Sequence, residues 1–336
     1  MSRLAVRRLP PSQRRRPAPG LVAVAGNLLA VSARVEVQPA GLRRDVTTFE
    51  RAKGYVALTK PRIIELLLIT TVPTMFVAAR HVPSARLIAL TVLGGALAAG
   101  GANAMNMVYD RDIDAAMDRT KNRPLVTGVV TPGAALVFAS VLELGSFLLL
   151  WRTVNLLSAV LAVSATAFYV GIYTMWLKRS TTQNIVIGGA AGAVPVLVGW
   201  SAVTDRLSLA PLVMFGVIFL WTPPHFWSLA VRYREDYANA KVPMLPAVAS
   251  APAVVRQIIL YTAALWLLSG FLAPVAHLGI AFFVLTMVLG ALFFLRALSL
   301  RRDASPRRAM QLFGFSITYL TVLFIAMGVA AVVPHG

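Results

Sequence analysis

The chain has 336 residues with 32 Lys and Arg against 13 Asp and Glu, a net charge of +19, yet only 13% of its residues are charged, 58% are hydrophobic and its mean hydropathy is +0.73. A water-facing surface needs roughly a quarter of its residues charged and a disordered chain needs far less apolar content, so a polytopic membrane protein remains. With no Cys in the chain, disulfides, thiolate metal sites and thiol nucleophiles are excluded as well.

Residues 1–53 form a basic tail, rich in Arg and Pro and expected to be disordered, ahead of a membrane domain at 54–336. Its apolar piece at 21–33 is too short to span a bilayer. An Arg-rich, acid-poor leader is one reading of this tail. The other is a cytoplasmic tail beside anionic lipid, or an over-long start, and the lack of a clear amphipathic helix favours it. The basic residues flank apolar spans rather than share one face, so no nucleic acid is expected as a partner.

From Ile63 onward nine spans are predicted, at 63–79, 86–108, 132–151, 155–176, 183–201, 207–230, 254–274, 277–296 and 310–333, each close to the roughly 20 residues that a bilayer requires. The expected fold is therefore all-α, a bundle of nine transmembrane helices around a central cavity. The second and fifth spans are rich in Gly and Ala, which lets helix backbones approach closely, so both should lie inside the bundle. The fourth, seventh, eighth and ninth read as plain lipid-compatible helices. With the N-terminus cytoplasmic, all Lys and Arg except Arg80, Arg86, Arg152 and Arg206 fall on the inside, as the positive-inside rule requires.

Ten acidic residues lie beyond the tail, and six of them bunch in two clusters: Asp110, Asp112, Asp114 and Asp118 after the second span, and Glu235 and Asp236 after the sixth. Both clusters fall on the inside face. Carboxylates this close repel one another unless a cation holds them. Asn106, Asp110 and Asp114 are spaced four apart, which stacks them on one face of a helix. Such an oxygen stripe suits Mg²⁺, a hard ion held by one or two carboxylates together with substrate phosphates. Asp112 points off the stripe, toward Arg111 or solvent. Arg119, Lys121, Arg123, Lys178, Arg179, Arg232 and Arg234 surround the acids. Each alone is explained by topology, but the combination of carboxylates and cations is what a diphosphate needs.

In the sixth span Pro223-Pro224 is expected to break or kink the helix, unwinding it where it would line a cavity. His225 follows directly, either as a hydrogen-bonded packing residue or as a cofactor contact or acid–base group, and a lone His does not decide between them. Trp221, Phe226, Trp227, Tyr233 and Tyr237 form either an interfacial belt or a set of ring faces for a developing cation.

These residues resemble the UbiA-type intramembrane prenyltransferases through Asn106-x3-Asp110-x3-Asp114 and Arg119-Thr-x-x-Arg123-Pro124-Leu125. The strings Leu58-Thr-Lys-Pro-Arg62, Tyr173-Thr-Met-Trp-Leu-Lys178-Arg179, Gln183-Asn184-Ile-Val-Ile-Gly188-Gly189, Trp221-Thr-Pro-Pro-His225-Phe-Trp227, Tyr237 and Val242-Pro-Met-Leu-Pro246 narrow the likeness to the haem-farnesylating branch, over residue 54 to the end. Two departures stand out. Met107 occupies a place where many members of the superfamily carry a second Asp. The second acidic motif is reduced to Glu235-Asp236.

The resemblance implies transfer of a farnesyl group from farnesyl diphosphate to a vinyl group of haem B, with water, giving haem O and diphosphate. It implies Mg²⁺ as cofactor, one ion on Asn106, Asp110 and Asp114 and another on Asp236 with Glu235. Lys178, Arg179 and Arg123 would contact the diphosphate, and Arg62, His225 and Tyr237 the haem. The implied setting is membrane lipid, in a bacterial plasma membrane or else a mitochondrial inner membrane, with haem A synthase or terminal-oxidase assembly factors as partners. An aromatic, quinone-precursor acceptor is the rival within enzymes. A transporter would need acids near the bilayer midplane, whereas these sit near one face.

Overall fold

The structure is a computed structural model that describes residues 46–333, with the side chains of 62, 63 and 65–68 not described. Of the expected tail, only residues 46–53 are therefore open to view. The first helix, α1 (Thr48–Thr59), starts inside that tail. A capping box fixes its start: the Thr47 hydroxyl accepts from the Glu50 amide while the Glu50 carboxylate accepts from the Thr47 amide. This helix thus takes in the last residues of the expected tail.

The expected spans follow as α2 (Pro61–Ala79), α3 (Ala85–Tyr109), α5 (Pro132–Thr153), α6 (Leu156–Ser180), α7 (Asn184–Thr204), α8 (Leu209–Arg232), α11 (Ala251–Val275), α12 (Gly279–Ser299) and α13 (Pro306–Val332). Short helices fill the loops at one end: α4 (Arg111–Ala116), α9 (Arg234–Asn239) and α10 (Leu245–Val248). Eight helices among the described residues are long and apolar enough to cross a membrane. α2, 19 residues long, stands at the first of the nine expected spans, and its stretch Ile69–Ala79 is apolar. Among the described residues the fold is all-helical, and the chain is an integral membrane protein.

The small-residue spans lie where expected, inside the bundle. Buried positions on α3 include Gly94, Gly100, Gly101 and Ala102, and those on α7 include Gly189, Ala193 and Gly199. At Gly199 a Cβ would sit 2.6 Å from the backbone oxygen of Thr71, so α2 and α7 touch backbone to backbone there. α8 is the most buried span and packs against α7, α11 and α13.

Two sequence expectations are overturned. Pro223 and Pro224 do not unwind α8, which runs unbroken from Leu209 to Arg232. Both prolines are buried, and Thr222 and Ser228 donate their hydroxyls to the carbonyls of Ile218 and Pro224. Packing on three neighbouring helices holds the segment that local sequence would release. The fourth span, α6, is not a plain lipid helix either. From Phe168 to Leu177 it winds as a π-helix, a wide turn often found at functional sites. A carboxyl lies within the spans as well: Glu143 on α5 accepts from the Thr166 hydroxyl of α6 at 3.0 Å.

Gly199→Ala should destabilise the purified protein by about 1–3 kcal/mol, because the added methyl meets backbone that cannot yield. A lowered melting midpoint in detergent checks this; a midpoint equal to the parent's would show that α2 and α7 can separate at no cost.

Candidate functional site

The site lies where α3 ends. Asp110 closes α3 with its amide bonded to the Asn106 carbonyl, and its own carbonyl accepts from the Asp114 amide in α4. The four-residue spacing therefore persists across the joint between two helices rather than along one. Asn106, Asp110 and Asp114 are all buried, with Asp110 at 0% exposure.

A fully buried carboxylate costs several kcal/mol unless it is paired and hydrogen-bonded. The structure meets that demand with cations from distant parts of the chain. Lys178, at the end of α6, donates to Asp110 Oδ2, which also accepts from Asn106 Nδ2 at 2.7 Å. Arg123 Nη1 reaches both oxygens of Asp114, at 2.7 and 2.6 Å. Lys60 Nζ donates to Asn106 Oδ1 at 2.9 Å. Burial first, then the neighbouring Arg123 and Lys178 charges, hold the Lys60 amine down at about 7. Asp110 Oδ1 is buried and accepts no hydrogen bond.

Local backbone explains how these groups arrive. Lys60 sits in the left-handed region (φ 52°) between α1 and α2, with Pro61 opening the next helix. Asn103 Nδ2 pins this turn to α3 by donating to the Thr59 carbonyl at 3.0 Å. On α6, the Thr174 hydroxyl donates to the carbonyl of Tyr169, five residues back, at 2.8 Å and accepts from Asn106 Nδ2 at 3.0 Å. The rings of Tyr169 and Tyr173 stack, 5.4 Å apart and 16° from parallel. The wide π-helical turn thus aims Thr174 at Asn106, and Lys178 follows one turn later onto Asp110.

The basic loop at 119–123 reaches α9, which carries the second acidic pair. Arg119 lies over the Tyr233 ring at 5.6 Å and faces the Tyr237 hydroxyl. Burial pushes the Tyr237 phenol up, against the pull of Arg119 and Arg123. Lys121 bonds Asp118 at 2.8 Å and also feels the charge of Asp236. Asp236 is half-buried and Glu235 exposed. Among the described residues, no three His, Asp or Glu side chains gather into one metal shell. Each carboxylate of the first cluster takes its own cation instead, which relieves the repulsion expected between them.

Other expected site residues fall elsewhere. Asp112 pairs with neither Arg111 nor solvent alone: Arg179 grips both its oxygens at 2.7 Å and donates to the Tyr109 carbonyl at the end of α3. Arg179 therefore clamps a helix C-terminus, where a cation is favoured, at the exposed margin of the site. His225 is buried between Trp221 and Phe313, with ring centroids 4.1 and 4.5 Å away, and its Nδ1 lies 2.7 Å from the Ser316 hydroxyl. That is the packing alternative, joining α8 to α13. Arg62 lies in the first turn of α2, and its side chain is outside the described set. Sequence reasoning did not single out Lys60, Asn103, Tyr169 or Thr174. Lys60 was within reach, since a Lys beside Pro in a quoted string is an available signal.

Lys178→Met should leave Asp110 charged, buried and without its cation, at a cost of about 3–5 kcal/mol. Adding Asp110→Asn should restore part of the lost melting temperature. Equal melting of the single and double variants would mean that the pair carries no buried charge.

The profile of the UbiA prenyltransferase family matches residues 67–330. The chain is 52% identical over 285 residues to the protoheme IX farnesyltransferase of Streptomyces coelicolor, covering 83% of this chain and 90% of that one. It is 53% identical to the protein of that name from Kineococcus radiotolerans (86% and 90% covered) and 54% identical to that from Nocardioides sp. (82% and 89%). Among solved structures, a digeranylgeranylglyceryl phosphate synthase matches with a TM-score of 0.70 at 17% identity, covering 84% of this chain and 99% of that one. A UbiA homolog from Archaeoglobus fulgidus bound to DMAPP and Mg²⁺ matches with a TM-score of 0.62 at 16% identity, covering 83% and 98%. At these identities the two structures speak for the fold.

Proposed function

Because the chain belongs to the UbiA prenyltransferase family, we propose that it transfers the farnesyl group of farnesyl diphosphate to a vinyl group of haem B, giving haem O and diphosphate, in a bacterial plasma membrane. The observation that carries the chemistry is a buried, cation-rich end of the bundle. Lys60, Lys178 and Arg123 converge on Asn106, Asp110 and Asp114, and Arg119 of the adjoining loop faces Tyr237. The choice of acceptor rests on the relatives at 52–54% identity that bear the protoheme name.

In this reading the incoming diphosphate exchanges partners with the site. Lys178 and Arg123 swing from their carboxylates to phosphate oxygens, charge-assisted bonds that strengthen as the leaving group gains charge. The freed carboxylates of Asp110 and Asp114, with Asn106 Oδ1, form an all-oxygen donor set for Mg²⁺, and the orphaned Asp110 Oδ1 already lacks a partner. Asp236 with Glu235 is the second set. Bound there, Mg²⁺ would supply charge withdrawal from the diphosphate as the allylic C–O bond breaks. The stacked Tyr169 and Tyr173 present ring faces beside this charge, suited to a developing carbocation. The haem vinyl carbon attacks the cation, and water captures the resulting haem-centred cation as a hydroxyethyl group with loss of a proton. Until then the apolar bundle keeps water from the allylic centre.

For the acceptor, Tyr237 beside Arg119 is the best-supported contact, since a cation there suits haem propionates. Arg62 belongs to the same assignment. His225 serves it by holding the aromatic wall between α8 and α13. Haem A synthase or terminal-oxidase assembly factors are the partners this product implies.

With labelled farnesyl diphosphate, detergent-solubilised protein should yield farnesylated haem by mass spectrometry and leave hydroxybenzoate unmodified; the reverse preference would reassign the acceptor. Asp110→Asn or Asp114→Asn should lower product formation by at least about 100-fold while the protein still inserts. Chelation should stop turnover and added Mg²⁺ restore it. Full turnover in either variant, or in chelator, contradicts the assigned roles.

A further inference from the structure

A second polar centre lies away from the acidic clusters, where α12 ends and α13 begins. The residues from 296 to 308 carry Arg296, Arg301, Arg302, Arg307 and Arg308 against Asp303 alone. Between the two helices runs an open cavity of about 310 Å³. Leu292, Leu295 and Leu312 line one part of it, and Arg296, Arg308 and Gln311 the other. Leu292 and Leu295 are 45% and 59% exposed on the outer face of the bundle, so the apolar part opens toward the bilayer's acyl chains.

The two arginines are held differently. Arg308 Nε bonds Asp303 at 2.8 Å, which uses one edge of its guanidinium. Arg296 has no carboxylate partner among the described residues; its guanidinium lies 4.5 Å from the centroid of the Phe315 ring. Stacking orients the group and leaves its N–H donors free for an anion. Both arginines are exposed. They flank a groove lined by arginine and glutamine on one part and leucine on the other.

We propose that this groove binds an anionic phospholipid, with the phosphate on Arg296, Arg308 and Gln311 and an acyl chain along Leu292, Leu295 and Leu312. Charge complementarity selects the occupant. A basic pocket between spans attracts anionic headgroups, while the leucines add the apolar contact that free phosphate lacks. The volume accommodates a phosphoglycerol head and the start of one chain.

The test uses the full chain in a neutral detergent, with phosphatidylglycerol, phosphatidylcholine or inorganic phosphate added. Phosphatidylglycerol should raise the melting midpoint saturably and remain bound in native mass spectra, while the other two do neither. Arg296→Gln with Arg308→Gln should weaken phosphatidylglycerol binding about tenfold or more. Arg301→Gln with Arg302→Gln, which removes the same charge outside the groove, should leave binding within about twofold of the parent. Leu295→Trp, which fills the groove without changing charge, should also weaken binding and guards against misfolding of the arginine pair. The proposal is overturned if phosphatidylcholine or phosphate binds equally, or if both arginine pairs lose binding alike. It is likewise overturned if neither the first pair nor Leu295→Trp changes binding.

Discussion

A carboxylate with no access to water must have a cation beside it, and Asp110 is such a carboxylate. The costs are unequal: leaving it unpaired is far worse than the gain from any single surface ion pair. Much of the architecture at this end of the bundle follows from that demand. Lys178 comes from the far end of α6, Lys60 from the turn between α1 and α2, and Arg123 from the loop after α4. Three separate stretches of chain are tied to the end of α3 by charge and hydrogen bonding, so the site and the local fold stabilise one another.

In the proposed reaction the same arrangement is what answers an arriving diphosphate. A cation paired to a buried carboxylate can change partners when a phosphate oxygen arrives, without exposing charge to lipid. The π-helical segment of α6 serves this end, since a regular helix would present Thr174 and Lys178 at a different angle to Asn106 and Asp110. The left-handed turn at Lys60 does the same for the first two helices. Both devices are local irregularities retained at the place where chemistry is proposed, which is where departures from regular geometry are expected.

What could be read from sequence follows the range of the forces involved. Span positions were legible to within four residues, because length and hydropathy are properties of contiguous sequence. The clustering of Asp110, Asp112, Asp114 and Asp118 was legible because like charges placed close together need an explanation. The partners were not: Asp112 and Arg179 are 67 positions apart, and nothing local marks them as a pair. The unbroken helix through Pro223 and Pro224 shows tertiary packing overriding a local breaking signal. The π-helix hid behind an ordinary apolar span, and the role of Lys60 depended on a backbone conformation that no hydrophobic pattern reveals. For His225, sequence left two readings open, and the stack with Trp221 and Phe313 favours packing.

The central claim is that the cations now paired with Asp110 and Asp114 transfer to a diphosphate while the freed carboxylates take a divalent ion. It is tested most directly by an experimental density map of the chain with Mg²⁺ and a non-ionising thiodiphosphate analogue of the prenyl donor. The account predicts diphosphate density in contact with Lys178 and Arg123, and metal density against Asp110 and Asp114. A diphosphate bound elsewhere, with the Lys178–Asp110 and Arg123–Asp114 pairs intact, would contradict it.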